Sequence, residues 1–141
     1  MTTLYEEIST AIGGRTGQAS TEDGKINVNL SKPKAAGGDG GDGVNPEQLF
    51  GCAYAACFSG ALELLASKKR IELPSPVSVT ATIGFCKDDD GAFLEATLDC
   101  YIPGVDVKTG ENLINMAHEI CPFSKATRDN ITVTLNLMLD E

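Results

Sequence analysis

Three stretches of the chain alternate apolar and polar residues with the two-residue period of a β-strand. In the first, Val77, Val79, Ala81, Ile83 and Phe85 alternate with Ser78, Thr80, Thr82 and Gly84. In the second, Leu94, Ala96, Leu98, Cys100 and Ile102 alternate with Glu95, Thr97, Asp99 and Tyr101. The third sets Ile131, Val133, Leu135, Leu137 and Leu139 against Thr132, Thr134, Asn136 and Met138. Lys87 to Gly91, ending in Asp90-Gly91, predicts a hairpin turn between the first two. A weaker strand over Lys25 to Leu30 places Ile26, Val28 and Leu30 on one face.

A different pattern separates these strands. Asn45 as N-cap, Pro46 at the first helical position and Glu47 in the first turn predict the start of a helix. The basic run Lys68-Lys69-Arg70 suits its C-terminal end. From Pro46 to Arg70 the helix would span roughly 37 Å. Its middle is apolar on every side and rich in small residues (Gly51, Ala53, Ala55, Ala56, Gly60, Ala61), which predicts burial all round. The uncharged part, Gln48 to Leu62, is too short to span a bilayer, so no membrane span is expected. One small chain can hardly surround so long a helix, and we expect a homodimer in which the second copy covers part of it. Residues 108–121 read as a second helix with Leu113, Ala117 and Ile120 along its apolar stripe, and Pro122 ends it or starts another turn. Residues 35–44 form a Gly/Asp loop expected to be flexible, whose irregular glycines and missing P-loop lysine argue against phosphate binding. The order of strands, long helix, two strands, helix and strand predicts an α+β fold.

Composition narrows the function. The chain has 141 residues, 42% hydrophobic and 22% charged, which excludes wholesale disorder, collagen-like repeats and a coiled coil. Its length suits a single domain over 1–141. Eleven basic against twenty acidic residues give a net charge of −9. Such a surface disfavours nucleic acid and anionic lipid, so partners are expected to be small molecules or other proteins. Met1 to Thr10 carries Glu6 and Glu7 and lacks the regions of a secretory signal, so a reducing cytoplasm is expected.

Five cysteines, Cys52, Cys57, Cys86, Cys100 and Cys121, carry the candidate chemistry. None forms a CxxC, and His118 is the only histidine, so no metal site is expected. Cys100 falls on the apolar face of its strand and reads as a small core residue. Cys86 sits at a strand end beside a charged turn as a half-exposed thiol. Cys52 and Cys57 are about 140° apart around a helix and cannot bond to each other there. Cys57 lies near the middle of the long helix, about three turns from the dipole's positive end, where desolvation would raise its pKa and make it inert. Reactivity there requires a cation from elsewhere in the chain. Lowering a thiol by about three units asks for roughly 4 kcal/mol, which a close Arg can supply. Cys121 and His118 could share a helix face as a hydrolytic Cys–His pair, although no third orienting group is apparent and a packing histidine is the plainer reading.

Asn45-Pro46-Glu47-Gln48-Leu49-Phe50 followed by Tyr54-Ala55-Ala56-Cys57-Phe58 resembles the NPEQLF…YAACF signature of organic hydroperoxide resistance (Ohr) proteins, a branch of the OsmC/Ohr superfamily of thiol peroxidases. Gly13-Gly14-Arg15 is similar to that family's GGR turn, and residues 117–130 to its second cysteine motif. The likeness runs from about Leu4 to Leu137.

The resemblance implies a long central helix packed between β-sheets in an intertwined homodimer, and a dithiol peroxidase without a cofactor. Cys57 matches the peroxidatic cysteine and Cys121 the resolving one, joined by a Cys57–Cys121 disulfide in turnover. Arg15 and Glu47 match the pair that activates the thiolate. Phe50, Tyr54, Phe58 and Phe123 lie near the motifs and suit an apolar pocket for alkyl or fatty-acid hydroperoxides, with core packing the other reading of each. The implied reductant is a dithiol, such as dihydrolipoyl groups on lipoylated proteins. The alternatives are an OsmC-like peroxidase of broader specificity and a non-enzymatic dimer that senses redox state or binds apolar ligands. Cys52, Cys86 and Cys100 stand outside the family pattern, and Val44 replaces a common threonine.

Overall fold

Ser9–Ile12 (β1), Gln18–Thr21 (β2) and Asn27–Asn29 (β3) pair antiparallel in the order β1-β2-β3. The computed structural model describes residues 1–139, and the chain divides into two compact units, Met1–Leu49 and Phe50–Glu141. The first two strands escape the sequence pattern because β1 is exposed throughout and β2 is half-buried at three successive residues, so no alternation is imposed. A tight turn joins them. Gly13 and Gly14 take φ of 83° and 63°, and a Cβ on Gly17 would stand 1.8 Å from the Ile12 carbonyl oxygen. Only glycine fits that sequence of conformations. Arg15 rides on the 3₁₀ turn Gly14–Thr16 at its apex.

The Gly/Asp loop is tied by hydrogen bonds to the residues just before it. Gly38 N–H donates to Pro33 O at 2.9 Å, Gly40 N–H to Lys32 O at 3.0 Å, and Gly43 N–H to Ser31 Oγ at 2.8 Å. Leu30 and Val44 form a parallel bridge that closes it. The helix that follows, α1, spans Pro46–Lys68. Asn45 Oδ1 accepts from Gln48 N–H, and Gln48 Oε1 accepts from Asn45 N–H, both at 2.9 Å. This reciprocal capping box starts the helix as the sequence predicts, with Gln48 an unforeseen partner.

In the unit Phe50–Glu141, α1 lies among Ser78–Asp88 (β4), Gly91–Tyr101 (β5), Val107–Ile120 (α2), Pro122–Thr127 (α3) and Val133–Met138 (β6). The sheet runs β4-β5-β6, with β5 antiparallel to β4 and parallel to β6. A parallel pair needs a long crossover, which α2 and α3 provide. Tyr54, Phe58, Leu62 and Leu65 of α1 pack in one core with Val77, Ala96, Leu98, Cys100, Leu113 and Ala117. The fold is α+β, as expected from the order of elements.

Local departures have local causes. The hairpin turn is Asp89-Asp90, with Asp88 paired to Gly91, because Gly91 at φ 121° begins β5 rather than completing the turn. The long helix stops two residues early. Arg70 enters the left-handed region at φ 57°, and Ile71 N–H returns to Ala66 O while Arg70 N–H returns to Ser67 O. This is a Schellman ending built without its usual glycine. Asp106 caps α2 through Thr109 N–H at 2.8 Å, and Ile120 is exposed while Ile114 takes the buried place assigned to it. A Cβ on Gly110 would meet both methyls of Leu137 at 2.9 Å, so glycine lets α2 settle on β6.

Burial all round is not what a single chain achieves. Cys52, Ala56, Gly60 and Leu64 leave one face of α1 open. By length and composition α1 is also apolar enough to cross a bilayer, a reach that the uncharged stretch alone understated. Its other face, with Tyr54, Phe58 and Leu62 fully buried, serves here as a protein core.

Candidate functional site

Pro122 creates the geometry around Cys121. A residue before proline is driven to an extended conformation, and Cys121 takes φ −61°, ψ 122°. It therefore ends α2, donating its N–H to Ala117 O at 2.8 Å, and opens α3, accepting from Lys125 N–H at 2.9 Å. At this break its fully buried sulfur meets α1, where Cys121 Sγ lies 3.3 Å from Cys57 Sγ. Both are thiols, since a disulfide would bring the sulfurs to about 2.05 Å. Cys57 is half-buried and is the sulfur that a small molecule can reach.

Burial pushes the Cys57 thiol above its ordinary pKa, and the adjacent Cys121 pushes the same way, first through their hydrogen bond and then through charge. The backbone N–H of Phe123, in the first turn of α3, pulls against them. The other cysteines are elsewhere. Cys100 is fully buried in β5 with its thiol pushed up to about 12, mainly by desolvation. Cys86 is half-buried and raised by burial and then by Glu95. Cys52 is exposed on the open face of α1.

Beside the sulfurs lies a buried polar cluster that the sequence did not reveal. Ser124, fully buried, bonds Tyr54 Oη at 2.8 Å and His118 Nδ1 at 2.9 Å through its hydroxyl. Tyr54 Oη also contacts Thr127 Oγ1 at 3.2 Å, and Thr127 donates to the Ser124 carbonyl at 3.2 Å. Arg128 donates to the His118 carbonyl. His118 is thus engaged with Ser124, and Cys121 with Cys57, which leaves the hydrolytic Cys–His pair without its hydrogen bond. The polar spacing Ser124–Thr127 on α3 was the only available signal.

The four aromatics do meet. Ring centroids are 5.9 Å apart for Phe50–Tyr54, 6.0 Å for Tyr54–Phe123 and 6.4 Å for both Phe50–Phe123 and Tyr54–Phe58. Tyr54 and Phe58 are fully buried and act as core, whereas Phe50 and Phe123 are half-exposed. The apolar surface near Cys57 is therefore Phe50 and Phe123, backed by the other two.

Within Met1–Leu49, Arg15 and Glu47 form a two-pronged ion pair. Arg15 Nη1 donates to Glu47 Oε1 at 2.8 Å and Nη2 to Oε2 at 2.9 Å. The pair matches fork to fork, the geometry in which guanidinium and carboxylate orient each other best. Arg15 holds the Glu47 carboxyl below the usual range, and Glu47 raises the guanidinium in return. Proline at the first helical position and the capping box fix where Glu47 stands.

Comparison with known proteins gives a consistent picture. The family model for OsmC-like protein matches residues 38–136. An organic hydroperoxide resistance protein of Xanthomonas axonopodis pv. citri is 43% identical over 95% of this chain and 94% of its own. One from Bacillus subtilis is 41% identical over 95% of this chain and 98% of its own. A crystal structure of such a protein from Elizabethkingia anophelis superimposes with a TM-score of 0.93 at 39% identity, covering 99% of this chain and all of that one.

Proposed function

The chain belongs to the OsmC family, in its organic hydroperoxide resistance group, and from that premise we propose that it is a thiol peroxidase that reduces alkyl or fatty-acid hydroperoxides to alcohols. The observation that carries this reading is the 3.3 Å approach of Cys57 and Cys121 across 64 residues of sequence. In the first step the Cys57 thiolate attacks the terminal peroxide oxygen. The O–O bond breaks, the alkoxide takes a proton to leave as alcohol, and Cys57 is left as a sulfenic acid. In the second, Cys121 sulfur displaces the hydroxyl, which leaves as water with the Cys121 proton. The sulfurs need close by only about 1.3 Å to reach bonding distance. An external dithiol, in this reading a dihydrolipoyl group, then exchanges with the disulfide and restores both thiols.

Burial opposes the anion that the first step needs, so a cation is required. The proposal assigns that role to Arg15, on the strength of its fork-to-fork bond to Glu47 and of the GGR motif that carries it. The guanidinium would also stabilise charge developing on the peroxide oxygens. Phe50 and Phe123 would favour an alkyl tail over the small, polar hydrogen peroxide.

The proposal also takes 1–141 as one working domain in a cytoplasmic homodimer. What supports the dimer is the open face of α1, where Cys52, Ala56, Gly60 and Leu64 present small and apolar groups to water. Peptide mapping after one equivalent of cumene hydroperoxide tests the central reading. A Cys57–Cys121 linkage is expected, and a product joining any other two cysteines overturns it.

A further inference from the structure

The hydrogen bonds beside the sulfurs can be arranged in only one direction. Thr127 has a single hydroxyl proton, and it goes to the Ser124 carbonyl, which can only accept. Thr127 Oγ1 must then accept from Tyr54 Oη, so Tyr54 in turn accepts from Ser124 Oγ. Ser124 has no proton left for His118, so His118 Nδ1 must donate. The chain runs His118 Nδ1–H to Ser124, Ser124 to Tyr54, Tyr54 to Thr127, and Thr127 back to the carbonyl of Ser124. Every hydroxyl in it is satisfied, and reversing any one bond leaves a buried proton or lone pair unmatched.

The positions matter as much as the directions. Tyr54 is three residues before Cys57 on α1, His118 three before Cys121 on α2, and Ser124 three after Cys121 on α3. Residues three apart on a helix are neighbours on one face. One fully buried serine therefore ties the cysteine-bearing turn of α1 to both helices that end at Cys121.

We propose that Tyr54, Ser124, Thr127 and His118 form a one-way hydrogen-bond clamp that positions Cys121 against Cys57 for disulfide formation, with His118 held in its Nδ1–H form. They are positioning residues, acting through Cys121 and not on the peroxide. The inference rests on the thiol-peroxidase reading for its kinetic consequence, but its tautomer consequence is independent of any activity. A loosened clamp lets the Cys57 sulfenic acid wait longer for its partner, and a second peroxide then converts it to sulfinic acid.

Two measurements test this. His118 is the only histidine in the chain, so long-range ¹⁵N–¹H spectra of the reduced wild-type protein at pH 8 report its tautomer without assignment ambiguity. A proton on Nδ1 is expected, and one on Nε2 overturns the clamp. Second, the ratio of sulfinic acid to disulfide is read by mass spectrometry across rising cumene hydroperoxide for Tyr54→Phe, Ser124→Ala and the double variant. Each single variant should raise the ratio roughly fivefold, the population equivalent of one hydrogen bond, and the double variant no further than the larger single effect. Unchanged ratios in both single variants, or fully multiplicative effects in the double, refute the positioning role. If the variants fail to fold, the wild-type tautomer still decides. If the wild type forms neither product, the peroxidase reading falls while the tautomer continues to judge the clamp.

Discussion

Tyr54 and Ser124 stand 70 residues apart in sequence and share a 2.8 Å hydrogen bond in a part of the core where neither has any exposed surface. That bond fastens the long helix to the short one that begins at Pro122. The sulfur pair, half-buried on one side and wholly buried on the other, sits within one helical turn of it.

The two cysteines should fail in different ways. Cys57→Ser is expected to abolish consumption of cumene hydroperoxide in the presence of a lipoyl dithiol. Cys121→Ser should permit one turnover and then accumulate sulfinic acid on Cys57, seen as a mass gain of two oxygens. Sustained multi-turnover activity in Cys57→Ser would defeat the assignment.

Arg15 carries a prediction about acidity. On the proposed role of Arg15, Arg15→Ala should move the Cys57 alkylation profile toward higher pH, because only the Phe123 N–H would then oppose burial. Arg15→Lys should recover only part of the shift, since an ammonium cannot reproduce the two-pronged bond to Glu47. The rate of iodoacetamide modification against pH, measured in a variant that keeps only Cys57 and Cys121, reads both. An unmoved profile in Arg15→Ala removes the residue from the mechanism.

Two groups should weaken the fold as pH falls, each in its own pH window. Glu47 has a folded pKa below its unfolded value, so the stability it adds is present above about 4.3 and is lost as pH falls toward the folded pKa. Glu47→Gln should lose that acid-sensitive increment, modestly, because Arg15 remains 39% exposed to screening water. His118 is also depressed, through burial first and then Arg128, with Glu119 opposing. The sign is the same as for Glu47, although His118 is a base: the unfolded chain gains its proton first as pH falls below about 6.5, so the fold weakens there too. Urea titrations from pH 8 to pH 4 should show that decline in wild type and its reduction in His118→Gln.

The start of α1 offers a structural control. Asn45→Ala removes one arm of the capping box and should cost about 1 kcal/mol, read as a lower urea midpoint. Because Glu47 sits in the same first turn, the Cys57 alkylation profile of this variant should shift slightly in the direction of Arg15→Ala.

The oligomer has its own test. Ala56→Glu places a charge on the open face of α1 without touching the core. Sedimentation equilibrium should then report a monomer, against the dimer proposed for the wild type. A monomeric wild type would overturn the homodimer instead.

What was legible in the sequence follows from where the signal is local. Asn45, Pro46 and Glu47 encode a helix start through short-range rules, and it appears where expected. Strands β4, β5 and β6 alternate because one face meets water while the other is covered, half-buried in β4 and β6 and fully buried along part of β5. Strand β1 is exposed throughout and β2 is half-buried at three successive residues, so neither has one covered face and neither leaves a period to read. Arg70 ends α1 in a conformation usually given to glycine, so no residue type announced it. The meeting of Arg15 with Glu47 and of Cys57 with Cys121 is long-range, and only the motifs pointed to it. Composition could not separate Tyr54 and Phe58, which are interior, from Phe50 and Phe123, which reach the surface.

The interruption between α2 and α3 falls on the sulfur-bearing residue itself. Cys121 closes the last hydrogen bond of α2 and opens the first of α3, so its backbone is held from both sides, and rotation about its side-chain torsion can swing the sulfur while both cylinders stay fixed. Reduced and oxidised chains should consequently share nearly superimposable backbones and indistinguishable far-ultraviolet circular dichroism. The catalyst would cycle by turning a joint, with no need to melt and rebuild a helix at each turnover.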